Sequence, residues 1–279
     1  MASKLRKVAK VVPGSETSDG AGVKLKRSLG TPALDYLDPF LLLDEFKSDD
    51  GADYIAGFPD HPHRGFETVT YMLAGSMEHK DHKGHRGSLV AGSVQWMTAG
   101  RGIVHSEMPK QTDGLMWGFQ LWVNLPAKEK MCEPRYQEFP PEQIPIETLE
   151  DGTEVRVIAG RVGGVSGPVT GIVTAPLYLD VTVSPGSRFE QPVPLNHNAF
   201  VYVFEGEGRV GGEEVVPSGH LAVCQEGDAV RVEAGESGVR FLLIAAEPLV
   251  EPVARFGPFV MNTQEELIQA VRDFQGGRF

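Results

Sequence analysis

Phe58–Met72 reads FPDHPHRGFETVTYM: His61 and His63 flank a proline, and Glu67 follows at the head of a run of threonines and apolar residues. In an extended chain, residues two apart project to one face. Both imidazoles therefore point the same way and can share one metal ion. A strand that only fills a core carries valine or leucine at such places. The device recurs in GRGIVHSEMP, residues 100–109, where His105 and Glu107 are again two apart. Three imidazoles and a carboxylate drawn from two strands suit a divalent first-row metal. Nitrogen and oxygen donors without thiolate favour iron, manganese, nickel or copper over a structural zinc site.

Around these motifs the chain is written in short β runs bounded by glycine and aspartate. TVTYML at 68–73, SVQWMTAG at 93–100, GFQLWVNL at 118–125, LYLDVTV at 177–183, FVYVFEGEG at 200–208 and VRFLLIAAE at 239–247 are all β-branched and aromatic in character. With 33 glycines, 20 prolines and 41% hydrophobic residues among 279, the chain has enough turns and enough core for an all-β sandwich or barrel. The formal charge is 26 − 38 = −12, which repels a phosphate backbone and argues against direct nucleic-acid binding. Cys132 and Cys224 form no CxxC pair, so neither a disulfide framework nor a thiolate zinc site is indicated. No apolar window reaches signal-peptide or transmembrane length, and a soluble, cytoplasmic protein is expected (also nuclear if eukaryotic). The basic cluster Lys4, Arg6, Lys7 and Lys10 has the apolar partners Leu5, Val8, Val11 and Val12, which suggest an exposed first strand.

The two halves look alike. Laying Gly75 on Gly206 brings Tyr71 onto Tyr202, and Gly92 falls on Gly227, the pattern of two divergent copies of one barrel unit. The second copy carries Pro192 and Pro194 in place of His61 and His63, and Arg240 and Leu242 in place of His105 and Glu107, so it has lost the ligands. The expected divisions are a metal-binding barrel at 1–133, a proline-rich linker at 134–147, a degenerate barrel at 148–250, and a tail at 251–279. In that tail Thr263 and Glu266 form a capping box ahead of Leu267, Val271 and Phe274 at helical spacing.

At these residues the chain resembles the pirin family of the cupin superfamily. The resemblance is carried by GFPDHPHRGFETVTYML at 57–73, QWMTAGRGIVHSEMP at 95–109, DPFLLLDEF at 38–46, FQLWVNL at 119–125 and GPFVMNTQEE at 257–266. It implies an all-β fold of two cupin (jelly-roll) barrels stacked in tandem, with a short C-terminal helix. It also implies one metal, usually Fe(II) with Mn, Ni, Cu or Zn as substitutes, held by His61, His63, His105 and Glu107. Cupins in general take a carboxylate ligand from the position of Glu67; pirins resemble one another in using the glutamate after the third histidine, which leaves Glu67 to support the ligands or serve a structural role. The implied activity is quercetin 2,3-dioxygenase-like: opening of a flavonol ring by O2 with loss of carbon monoxide, Glu107 serving also as base. The alternative is an iron-dependent, redox-sensing transcriptional co-regulator acting through a protein partner. A monomer is expected.

His79, His82 and His85 read as solvated residues of a hairpin loop, and His197 and His220 as surface or turn residues of the degenerate copy. Trp96, Trp117, Trp122, Met97 and Met116 read as core, some of them able to wall an aromatic pocket. The ligand assignment has a direct check in elemental analysis. His61→Ala or His105→Ala should yield a folded, metal-free protein, while Glu67→Ala keeps its metal; full occupancy in either histidine variant would remove the assignment.

Overall fold

The computed structural model describes residues 4–279, so the first three residues of the expected first domain lie outside the described residues. The chain forms two compact units. One comprises Glu16–Gly30, Phe40–Pro141 and Leu249–Phe279; the other comprises the segment ending at Ser15, Thr31–Pro39 and Glu142–Pro248. Both are built from antiparallel strands whose alternating side chains fill an interior, the cupin arrangement.

In the first unit a seven-stranded sheet runs in the order Arg135–Phe139, Val94–Thr98, Phe66–Ala74, Met116–Asn124, Phe40–Ser48, Val23–Leu29 and Ser15–Asp19. A four-stranded sheet runs Phe58–His63, Ile103–Pro109, Ser76–Asp81 and Arg86–Val90. The ligand motifs thus sit on adjacent strands of the smaller sheet. Their register pairs Ile103 with His63 and His105 with His61, and shifts between His105 and Glu107. The second unit is centred on a nine-stranded sheet whose interior is closed by Val181, Phe189, Val201, Phe241 and Leu243, each at most 1% exposed. Among the described residues no helix is long and apolar enough to cross a membrane.

The units depart from the contiguous divisions expected from sequence. Val8–Pro13 pairs with His220–Cys224 of the second unit, because a strand joins whichever edge its hydrogen bonds and apolar face fit, however remote in sequence. In the segment expected to be a linker, Arg135–Phe139 pairs along Val94–Thr98. Pro134 and Pro140 bound this strand rather than break it, the edge position at which proline is tolerated. The tail from Leu249 belongs to the first unit. Its helix, Gln264–Gln275, has the expected capping box. Glu266 N donates to Thr263 Oγ1 at 3.2 Å and Thr263 N donates to Glu266 Oε2 at 3.0 Å. Leu267 and Ala270 are its buried residues. Phe274 is 39% exposed and meets the Phe259 ring at 6.1 Å.

Glu67 is buried within the larger sheet. It sits at odd parity to Thr70 on Phe66–Ala74, opposite Thr98, whose Oγ1 donates to Glu67 Oε1 at 2.6 Å. Desolvation pushes this carboxyl up to about 7, against the Thr98 hydrogen bond, which acts the other way. The folded value exceeds the unfolded one of 4.5, so the folded state holds this proton more tightly. That contribution to stability is present below the unfolded value and is lost as pH rises through about 7. Glu67→Gln, neutral throughout, should therefore gain on the wild type by about 2–3 kcal/mol in denaturant unfolding between pH 5 and pH 9. Parallel pH profiles for the two proteins would contradict this.

Candidate metal centre

The donor atoms of His61, His63 and His105 lie within 4.8 Å of one another. Ring centroids are 4.7 Å apart for His61 and His63, 4.5 Å for His61 and His105, and 5.0 Å for His63 and His105. Strand parity puts the first two on one face, and the register across to Ile103–Pro109 brings the third opposite His61. Among the described residues no second group of this kind occurs.

The surroundings fit a cation. His63 and His105 are 2% and 1% exposed, and none of their four ring nitrogens has a hydrogen-bond partner. A buried imidazole that neither donates nor accepts is costly unless something else takes its lone pair. Burial first, and the neighbouring imidazoles second, hold both rings well below the usual histidine range, so they are neutral donors at neutral pH. His61 Nδ1 lies 2.8 Å from the Pro59 carbonyl. A proton donated there leaves Nε2 with its lone pair free, the arrangement that orients metal-bound histidines. Three imidazoles around one point, two of them held neutral, are compatible with a divalent metal ion.

Glu107 stands beside this group rather than within it. It is 4% exposed, and its Oε1 lies 2.9 Å from Thr70 Oγ1, which is also 2.7 Å from Gln120 Oε1. The threonine's single hydroxyl proton serves one of these oxygens at a time. His61, His63, Thr70, Glu107 and Gln120 all face a cavity of about 560 Å³. Leu42, Phe46, Phe58, Met77 and Trp122 supply much of its wall. Of the three tryptophans, Trp122 lines this cavity, Trp96 is core, and Trp117 donates to Glu45 Oε1 at 2.8 Å. Arg27 grips Asp44 with two hydrogen bonds of 2.7 Å at one side, and the Arg255 guanidinium lies 5.0 Å from the Trp122 ring centroid.

Glu67, for which a supporting or structural role is expected, makes its hydrogen bond to Thr98 on the other face of its strand from Thr70, because the two are an odd number of residues apart. His79 also differs from expectation. It lies on Ser76–Asp81 rather than in the loop, is 4% exposed, bonds to Glu138 and stacks on Tyr136 at 5.6 Å. The alternation of Met77 and His79 with charged Glu78 and Lys80 was the available signal. His82 and His85 do occupy the exposed turn, but His197 is 8% exposed under an Arg6 guanidinium that donates to its carbonyl at 2.8 Å. In the second unit Arg240 and Leu242, expected in the places of His105 and Glu107, instead pair with Leu177–Val183 and Asn198–Val210 as Met116–Asn124 pairs with its neighbours in the first unit; Arg240 makes hydrogen bonds of 3.0 and 2.7 Å to Asp180, and Leu242 is buried.

The chain matches the family model described as Pirin over residues 22–123 and that of the Pirin C-terminal cupin domain over residues 178–279. It is 53% identical over 276 residues to a pirin-like protein of Caulobacter vibrioides, covering 99% of each chain. Against the pirin of Homo sapiens it is 47% identical over 278 residues, 98% of this chain and 93% of that one. A crystal structure of quercetin 2,3-dioxygenase from Acinetobacter baumannii aligns with a TM-score of 0.90 at 34% identity, over 99% of this chain and 98% of that one. Two matched domains, near-complete relatives at this identity and a fold of two cupin units lead to one assignment: the chain belongs to the pirin family.

Proposed function

We propose that the chain is an Fe(II)-dependent dioxygenase of the quercetin 2,3-dioxygenase type, with His61, His63, His105 and Glu107 as metal ligands and a flavonol and O2 as substrates. The observation that carries the reading is a triad of imidazoles, two of them buried and without hydrogen-bond partners, beside an apolar cavity of about 560 Å³. That volume is in the range of sites that enclose a small aromatic molecule. The likeness to the Acinetobacter baumannii quercetin 2,3-dioxygenase supports the same chemistry.

A bound ferrous ion supplies Lewis acidity toward a deprotonated substrate oxygen and one-electron chemistry toward O2. The chain's own part begins with binding. Trp122, Leu42 and Phe46 offer the flavonol rings an apolar surface and exclude water. Glu107 then accepts the proton of the flavonol hydroxyl. Thr70 holds Oε1 of this carboxylate by hydrogen bonding, which leaves Oε2 as the oxygen free to ligate or to take the proton. Low exposure strengthens that charge-assisted bond and keeps the carboxylate oriented.

The test is oxygen uptake and quercetin absorbance followed together on protein loaded anaerobically with Fe, Mn, Ni or Cu. Equal consumption of the two with release of carbon monoxide is expected, and absence of turnover with every metal would overturn the proposal. Glu107→Gln should lower kcat by about 10²–10⁴-fold, the usual contribution of a positioned general base. Thr70→Val should lower kcat with metal content unchanged.

A further inference from the structure

The turn that follows His63 is held by the segment from Pro258 to Phe279, which is remote from it in sequence. Arg64, 3% exposed, donates through Nη1 to Asp273 Oδ2 at 2.8 Å and through Nε to the Arg101 carbonyl. Its guanidinium lies 4.3 Å from the Phe279 ring centroid. Arg64 N donates to the Pro258 carbonyl at 3.2 Å, and Val260 N returns a bond to the Arg64 carbonyl at 3.0 Å. Lys130, 1% exposed, ties the same place from below: its Nζ donates to the carbonyls of Gly65 and Val260 at 2.7 and 2.9 Å and to Asn124 Oδ1 at 2.6 Å. A Cβ on Gly65 would stand 2.0 Å from the Val260 carbonyl oxygen, so only glycine admits this approach.

The strand that carries His105 is gripped from the same side. Gly65 N donates to the Gly100 carbonyl at 2.8 Å, and the Arg101 carbonyl is an acceptor for Arg64. A Cβ on Gly102 would lie 2.6 Å from the Phe279 ring, three residues before His105. One guanidinium and one aromatic ring therefore join the end of the His61–His63 strand, the approach to the His105 strand and the helix Gln264–Gln275. Asp273 is held down to about 2, first by Arg64 and then by Arg278 and Gln269, so its carboxylate is ionised at neutral pH. Removing its carboxylate would leave a guanidinium buried beside a ligand strand with its charge unpaired.

We infer that Arg64, Asp273 and Phe279 are positioning residues of the metal centre: the Pro258–Phe279 segment clamps both ligand strands and sets how fast the metal leaves. This rests on the reading that the three histidines hold a metal. Ligands must be held within about 0.5 Å of productive geometry for tight binding. A clamp on the backbone at both strands limits their separation in a way that hydrogen bonds to a single ring do not.

The whole chain loaded with Co(II) gives two readouts, the rate of metal loss to excess chelator and the ligand-field absorption bands. Asp273→Ala and Phe279→Ala should lose Co(II) about tenfold faster or more, the scale of defects in groups that support ligands, with shifted bands. Asp273→Glu should restore both. Unfolding of the metal-free proteins, measured alongside, reports a purely structural role. Wild-type release rates and spectra in the alanine variants would overturn the clamp, even with lowered unfolding temperatures. If Asp273→Ala does not fold, Phe279→Ala decides. Failure of the wild type to take up Co(II), or retention of it by His105→Ala, would overturn the metal reading and the clamp with it.

Discussion

His63 and His105 bring four ring nitrogens into the interior of the first unit without a hydrogen-bond partner. Each buried, unsatisfied polar atom costs about 1–3 kcal/mol, and whole domains are stable by only about 5–15 kcal/mol. An interior that keeps such atoms concentrates one lone pair from each ring at one point for a purpose other than stability. The rest of the first unit follows from that constraint. Antiparallel register sets His105 against His61, burial keeps the rings neutral, and the Pro59 carbonyl fixes the tautomer of His61.

The second unit shows what the same kind of β architecture does without that constraint. Its interior is closed by Val181, Phe189, Val201, Phe241 and Leu243. Arg240, on the stretch that pairs with Leu177–Val183, makes paired hydrogen bonds to Asp180. Side-chain volume there gives cohesion, whereas the first unit gives up part of its core to a cavity and a cluster of imidazoles.

Features written locally were legible in the sequence. The period-two pairs His61/His63 and His105/Glu107 located the imidazole group, and Thr263 with Glu266 located the helix start, because each pair depends on residues only a few positions apart. Features set by remote partners were not. The pairing of Val8–Pro13 with His220–Cys224 depends on which edge is free, and the Arg64–Asp273 ion pair joins residues 209 positions apart. Proline content disguised Arg135–Phe139 as a linker, although its prolines only bound an edge strand. Glu67 has the spacing of a ligand in the cupin motif, but an odd offset from Thr70 turns it to Thr98. His79 was hidden among lysines, since composition reports the solvent face of a strand as strongly as its buried one.

The central claim is that His61, His63 and His105 converge on one ferrous ion. X-ray absorption at the iron edge of the anaerobically loaded full chain tests it most directly, because multiple scattering from imidazole rings counts the histidines bound to the metal. The account predicts three imidazoles and additional oxygen donors, with one imidazole fewer or no bound iron in His105→Ala. A wild-type spectrum with one imidazole or none would contradict it.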